Sequence, residues 1–409
     1  MNTQLTFMKN FLLAFVLAIN VSSFSQNTDT LKVMAYNVLN FPQINAGRIS
    51  DLEIILQEAL PDILMVCEVT SSSGANAILN SALNTNGISH YAKANFVAGP
   101  DTQNMLYYND DKLELLEQNE ITTALRDINE YVLYYESDDL ATTDDTTFFY
   151  VYVCHLKASQ GYENERNAEV QEVKAYMATR PNIENIIFGG DFNLYGSSEP
   201  AWNTTLNGSG VLLVDPIDLP GEWHADWGYQ DYHTQSTRTA MFDGGSTGGM
   251  DDRFDFIFVS PDLMNWGHQA KMIDGTYWAY GQDGQHYNDE LISAPANTTL
   301  PSNVIQALYD MSDHLPVYAE IEVQRTFNGI KDINHGIEAY FNPVESSIHF
   351  TLEDKNVQTG AISIFDMSGK EVMSFDAIPE DGILDVYLLE NGIYILKESH
   401  YGFSMKFVR

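Results

Sequence analysis

Apolar residues recur along this chain with two periods, and the switches between them predict its elements. Leu31-Lys32-Val33-Met34-Ala35-Tyr36-Asn37 alternates and reads as a strand, as do runs within 62–69, 105–109, 131–135, 147–154, 186–190, 253–260 and 318–323. Between them, Leu52, Ile55, Leu56 and Leu60 sit at helical spacing until Pro61 stops the helix, and Ser71–Leu83 reads as a second helix. Arg166, Glu169, Val170, Val173 and Tyr176 place a third over 164–178. Strands alternating with helices predict an α/β domain. From about Thr326 the pattern turns to short alternating strands such as Ile362–Asp366, Ile393–Lys397 and Ser404–Val408, with turn signals at Ser368-Gly369 and Asn391-Gly392. That predicts a small all-β module behind the α/β domain.

Polar residues punctuate the apolar runs in a regular way. Ile186-Ile187-Phe188-Gly189-Gly190-Asp191-Phe192-Asn193 is a buried-type strand that stops on two glycines and then presents a carboxylate and an amide. By itself Asp-x-Asn is ordinary turn chemistry. Yet Asn37, Glu68, His155, Asp255, and Asp313 with His314 also close or interrupt apolar strands. A buried Glu68 needs a cation or a donor, because an unpaired carboxylate is costly away from water. The stretch after Asn193 is loop-rich and aromatic, with Trp202, Trp223, His224, Trp227, Tyr229, Tyr232, His233 and Arg238 leading to a glycine run at 244–249. It is expected to be an ordered substrate wall.

Composition changes the picture chiefly through charge. The 409 residues include 20 Lys+Arg against 57 Asp+Glu, a formal net charge of −37, which repels polyanions and disfavours a tight stoichiometric nucleic-acid binder. It does not exclude phosphodiester chemistry, since a bound cation inverts the local potential. The only cysteines, Cys67 and Cys154, lie inside apolar strands and are expected as buried free thiols. Lys9, the apolar run Phe11–Ile19 and Ser22, Ser23 and Ser25 form a secretory signal peptide over 1–25. No later stretch has the length of a transmembrane helix.

Jointly, GGDFN at 189–193, SDHLP at 312–316, the Glu68 strand and RFDFIF at 253–258 resemble the endonuclease/exonuclease/phosphatase superfamily, which includes deoxyribonuclease I, abasic-site endonucleases and neutral sphingomyelinases. The resemblance covers roughly Leu31 to Val323. It implies an α/β fold, a four-layer α/β/β/α sandwich, for a catalytic domain placed at 28–325. IFDMSGKEV at 364–372, NGIYIL at 391–396 and the closing MKFVR are similar to the type IX secretion sorting domain of Bacteroidetes, placed at 337–409 as a small all-β sandwich after a linker at 326–336.

Carried onto these positions, the resemblance implies Glu68, Asn37 and Asp313 as ligands of Mg²⁺, with Ca²⁺ or Mn²⁺ as alternatives. Asp191 would orient or deprotonate water, Asn193 would hold water or phosphate, and His314 would face the phosphate with Asp255 fixing its tautomer. His155 would contact phosphate or protonate the leaving oxygen. Its usual glutamate partner is missing, with Asp101 or Gln103 as substitutes. Arg166 and Arg238 are candidate phosphate clamps or structural ion-pair residues. The expectation is a secreted or surface-attached monomeric phosphodiesterase, exported by the type IX machinery, with nucleic acid as substrate. A sphingomyelinase-like or small-phosphoester hydrolase touching membranes through Trp223 and Trp227 is the alternative, and a non-catalytic surface binding protein is the third reading.

Overall fold

Alternation along each strand sorts apolar side chains onto two faces, and in this chain both faces are buried. The computed structural model describes residues 28–138, 140, 146–325, 337–342, 346–352, 360–366, 369–379, 382–390, 392–399 and 404–409; the expected signal peptide and linker lie outside them. The strands of the α/β domain are β1 (Thr28–Phe41), β2 (Ile63–Val69), β3 (Tyr91–Lys93), β4 (Gln103–Asn109), β5 (Leu113–Ile121), β6 (Ile128–Tyr135), β7 (Phe148–His155), β8 (Ile186–Asp191), β9 (Asp255–Val259), β10 (Ala270–Met272), β11 (Trp278–Ala279) and β12 (Val317–Gln324). One sheet has the order β10-β12-β1-β2-β4-β3, with β11 on β12; the other runs β5-β6-β7-β8-β9.

Three apolar cores separate four layers. Val33, Ala35 and Met65 of the first sheet meet Val151, Val153 and Ile187 of the second. The outer faces, with Met34, Tyr36 and Val66 on one and Tyr152, Phe188 and Phe258 on the other, are covered by helices. α1 (Ile49–Ala59), α2 (Ser72–Ile78) and α5 (Ser302–Met311) cover the first sheet, while α3 (Glu163–Met177) and α4 (Pro200–Asn207) cover the second. This is the expected α/β/β/α sandwich. The helix expected over Ser71–Leu83 is α2 followed by a π-helical turn at Leu79–Leu83. The C-terminal region forms two antiparallel sheets, one of Ile337–Asn342, Ser347–Leu352 and Ile383–Asp385 and one of Ile362–Asp366, Glu371–Phe375, Ile393–Glu398 and Ser404–Val408. Ile348, Ile364, Leu384 and Leu396 are buried in its core.

The aromatic segment after Asn193 corrects the sequence reading. Pro200 opens α4, and Trp202 and Trp223 pack 5.3 Å apart against Phe256 rather than lining a substrate wall. Trp223 is fully buried, so it cannot touch a membrane; Trp227 stays 66% exposed. Cys67 and Cys154 are buried free thiols.

α3 also buries Lys174, whose Nζ donates to the carbonyls of Thr205 (2.8 Å) and Val211 (2.6 Å). Burial pulls its ammonium down to about 7. The unfolded chain then holds a proton between about pH 7 and 10 that the folded chain has lost, so folding stability rises with pH across that window. Lys174→Met is expected to flatten this part of the urea-unfolding profile, and an unchanged slope refutes the assignment.

Candidate active site

Both parallel strand pairs, β1 with β2 and β7 with β8, run towards the same rim, so their C-terminal ends deliver side chains to one place. His155 pairs with Asp191 and Asp191 with Asp255 in the strand register, setting three functional groups side by side on the second sheet. From the first sheet come Asn37 and Glu68, and the loop before β12 brings Asp313 and His314, tied down by Ser312 Oγ donating to the Asn37 carbonyl (2.7 Å). The groups meet at a cavity of about 220 Å³ lined by Glu68, His155, Asp191, Asn193, Asp313 and His314, among others.

Backbone geometry explains the glycines and marks Glu68. A Cβ on Gly190, at φ +135°, would lie 2.0 Å from the Cys154 carbonyl oxygen, so only glycine fits beside β7. Glu68 itself adopts φ +64° where the ladder shifts register, a left-handed conformation rare for this residue inside a strand. It turns the carboxylate to accept from Asn40 N (2.8 Å) and Asn37 Nδ2 (3.0 Å).

Asn37 bridges two carboxylates, since the same Nδ2 lies 3.1 Å from Asp191 Oδ2. Its oxygen, expected to face a cation, instead accepts from Leu39 N. Asn37 thus acts here as a positioning donor to both carboxylates. Asp191 further accepts from Asn193 N (3.0 Å), and the Asn193 amide donates to the Leu156 carbonyl (3.2 Å).

The surroundings of the two histidines push their proton affinities in opposite directions. His314 Nδ1 lies 2.7 Å from Asp255 Oδ2 and its Nε2 3.7 Å from Asp191 Oδ2. Burial works against its charge, but Asp255, Asp191 and Asp313 together raise it well above the ordinary histidine value. His155 has Nε2 at 3.6 Å from Asp191 Oδ2 and Nδ1 at 3.7 Å from Glu68 Oε1. Burial, with the positive charge of Arg126, lowers it well below that value. Burial also raises Glu68, and pushes Asp191 up to about 7.

Several expected partners are used elsewhere. Asp101 pairs with Arg126 (2.9 Å), which donates to the His155 and Leu156 carbonyls, and the Gln103 amide donates to the Gly99 and Asp101 carbonyls. His155 thus takes Glu68 and Asp191 as its neighbours. Arg166 is fully buried against Glu199 (2.8 Å) and the carbonyls of Lys157 and Ser159. Arg238 is equally buried on the carbonyls of Tyr309, Phe242 and Asp310. Neither guanidinium is available as a phosphate clamp.

Sequence reading missed Gln235. A bridge to Asp252 places its amide 2.6 Å from His314 Nε2 and 3.3 Å from Asp313 Oδ2. It is the amide nitrogen that faces both groups, donating to the Asp313 carboxylate and meeting the His314 ring. The glycine run brings Ser246 N to 2.6 Å from Asp313 Oδ2, and a Cβ on Gly245 would collide with that carboxylate. Gln235→Ala is expected to lower kcat/KM about tenfold to a hundredfold, as loss of an outer hydrogen-bond partner does, with the melting temperature little changed. Full activity in that variant removes Gln235 from the site.

Residues 34–314 match the Endonuclease/Exonuclease/phosphatase family. The chain belongs to that family. Residues 338–405 match the Secretion system C-terminal sorting domain, so this endonuclease/exonuclease/phosphatase protein is secreted or held at the cell surface through type IX export. No helix among the described residues is long and apolar enough to cross a membrane. Among curated proteins none matches in sequence. Solved structures similar to it include D. rerio TDP2 complexed with single strand DNA product (16% identity, 72% of this chain and 99% of that one, TM-score 0.48). The human Nocturnin catalytic domain with bound sulfate anion (15%, 72% and 97%, 0.44) and an endonuclease/exonuclease/phosphatase family protein from Bacteroides thetaiotaomicron (17%, 72% and 98%, 0.43) are also similar.

Members of the family typically hydrolyse phosphodiester bonds with a divalent metal ion. The donor set fits such an ion. Glu68, Asp191 and Asp313 are three carboxylates lining one cavity, Asp255 stands beside Asp191 and His314 behind them, and Asp313 Oδ1 and Asp255 Oδ1 are buried with no hydrogen-bond partner. Hard oxygen donors of this kind suit Mg²⁺, Ca²⁺ or Mn²⁺.

Proposed function

We propose that this protein is a secreted, divalent-metal-dependent phosphodiesterase that hydrolyses extracellular DNA or RNA. The observation that supports the reading is the convergence of Glu68, His155, Asp191, Asp313 and His314 on one cavity, with a histidine on either side of Asp191. Groups whose environments push their affinities for protons apart are the signature of an acid and a base in one site.

Asp191, pushed up to about 7, is a base matched to neutral pH and takes the proton of a water as its oxygen attacks phosphorus. Asn193 and Asn37 keep that carboxylate aimed. His314, kept charged by Asp255, stabilises the negative charge that develops on the phosphoryl oxygens and is the proton source for the leaving oxygen as its bond to phosphorus breaks. A neutral His155 is a poor acid, so its assigned work is to orient Asp191 and accept from substrate. Glu68 and the open Oδ1 of Asp313 would hold the divalent ion, which supplies charge to the non-bridging oxygens when bound. The lipid reading keeps only Trp227 of its two tryptophans.

The test is hydrolysis of plasmid DNA, single-stranded DNA, RNA, sphingomyelin and a simple diester, each with Mg²⁺, Ca²⁺, Mn²⁺ or EDTA. Metal-dependent cleavage of nucleic acid, abolished by EDTA, is expected. Cleavage of sphingomyelin alone would replace the proposal with the lipid reading, and inertness towards every diester with the binding-protein one.

A further inference from the structure

We propose that the site holds its substrate through the scissile phosphate and one flanking group only, on the side of Lys157 and Tyr162. Its natural substrates are therefore short nucleotide diesters and chain ends as much as long polymers. This rests on the phosphodiesterase reading above and deepens it.

The cations of the α/β domain are almost all engaged away from the cavity, Lys32 Nζ on the Ala59 carbonyl (3.4 Å) and Lys93 Nζ on the Ala94 carbonyl (3.4 Å) among them. Arg48, Arg166, Lys174, Arg238 and Arg253 are buried and spent on protein carbonyls or carboxylates. Lys112 pairs with Asp29 and Asp62, and Arg325 with Asp138, at the opposite ends of the strands from the cavity. Arg180 is bound to Glu117 and Glu130, and Lys271 to Asp274. At the cavity rim two cations remain among the described residues. Arg126 is committed to Asp101, while the half-buried Lys157 forms no ion pair among the described residues and donates from Nζ only to the neighbouring Ala158 carbonyl (3.1 Å).

Lys157 is presented on a braced loop. Its N–H donates to Glu169 Oε2 (2.8 Å), and the buried Arg166 clamps the carbonyls of Lys157 (3.0 Å) and Ser159 (2.8 Å). The intervening Ala158 and Ser159 line the cavity. The Lys157 Nζ lies 4.0 Å from the Tyr162 ring centroid, and Tyr162 is 40% exposed. A cation beside an exposed aromatic ring, one loop away from the reacting phosphate, matches one neighbouring phosphate and one base. Gly245 and Ser246 also line the cavity, with Asp243 and the exposed Met241 and Phe242 just before them, and the one guanidinium beneath them, Arg238, is fully buried.

Salt dependence reads this directly, because each phosphate neutralised by protein cations adds roughly −0.7 to −0.9 to the slope of log affinity against log salt. With Mg²⁺ saturating and KCl varied, the slope of log kcat/KM on single-stranded DNA is expected at about −1 to −2, and Lys157→Ala is expected to make it shallower by about one. A dinucleoside monophosphate is expected to be cleaved within a few-fold, per bond, of a long strand. Tyr162→Ala should lower the preference for a dinucleoside monophosphate over methyl p-nitrophenyl phosphate by roughly tenfold, with Tyr162→Phe restoring it. A slope steeper than about −2.5, failure on the dinucleotide while polymer is cut, or an unchanged preference in Tyr162→Ala overturns this inference and leaves the phosphodiesterase reading standing. Inertness towards every diester overturns both.

Discussion

Asp191→Asn is expected to lower kcat for diester hydrolysis by about 10²- to 10⁴-fold, the range a positioned base supplies, and to raise the stability of the metal-free protein. The two effects share one cause. Burial, with Asp255 and Glu68 close by, outweighs the neighbouring His314 and pushes the carboxyl up to about 7. The folded chain therefore keeps a proton that the unfolded chain has lost from about pH 4 upwards, so stability falls as pH rises to about 7. An asparagine cannot ionise and escapes that fall, but it cannot take a proton from water. Steady-state kinetics, and thermal melts at pH 4 to 8 in chelator, check both halves. More than a tenth of wild-type kcat in the variant rules out Asp191 as the base.

Glu68→Gln is expected to abolish the stabilisation that divalent ions give the folded protein, and the metal-dependent activity with it. In the wild type, an ion at about 100 times its dissociation constant adds roughly 2.7 kcal/mol to stability. Glu68 is already aimed by Asn40 N and Asn37 Nδ2, and burial together with Asp313 raises it, so a cation relieves a real cost at that carboxyl. Glutamine would turn an NH₂ towards those donors or towards the ion. Melting curves with and without Mg²⁺, Ca²⁺ and Mn²⁺ give a readout independent of catalysis. An equal rise in melting temperature in Glu68→Gln places the ion on other ligands.

Much of this site was legible because strands write their burial into the sequence. A carboxylate or histidine closing an apolar run stands out, and Glu68, His155, Asp191, Asp255 and His314 do converge. What composition could not show is which partner each polar group takes. Arg166 and Arg238 look like clamps in the sequence, yet the carbonyls of irregular loops consume their donors. Asn37 was assigned through its oxygen, but the local turn offers Leu39 N to it first. Gln235 carries no periodic signal, because isolated bridges to Asp252 and His314 position it within a long loop. Trp202 and Trp223 went to the core for the same reason that α4 forms there: the outer face of the second sheet, with Phe256 and Phe258, needs a cover.

The strand register noted above makes the reacting groups two half-sites. His155, Asp191 and Asp255 are locked to one another by hydrogen bonds within one sheet, while Glu68 belongs to the other. No strand ladder joins the halves, and their distance is set by side-chain packing and a few side-chain hydrogen bonds such as Asn37 to Asp191. At their close approach a Cβ on Gly189 would lie 2.6 Å from Met65 Cε, so the Met65 side chain must move to admit it. Gly189→Ala would act as a shim: it touches no reacting group, yet a shift of even 1 Å between halves costs about 10²-fold in rate. Turnover in this protein is thus a gauge of the gap between its two sheets, and variants of the apolar middle layer should be read on that scale.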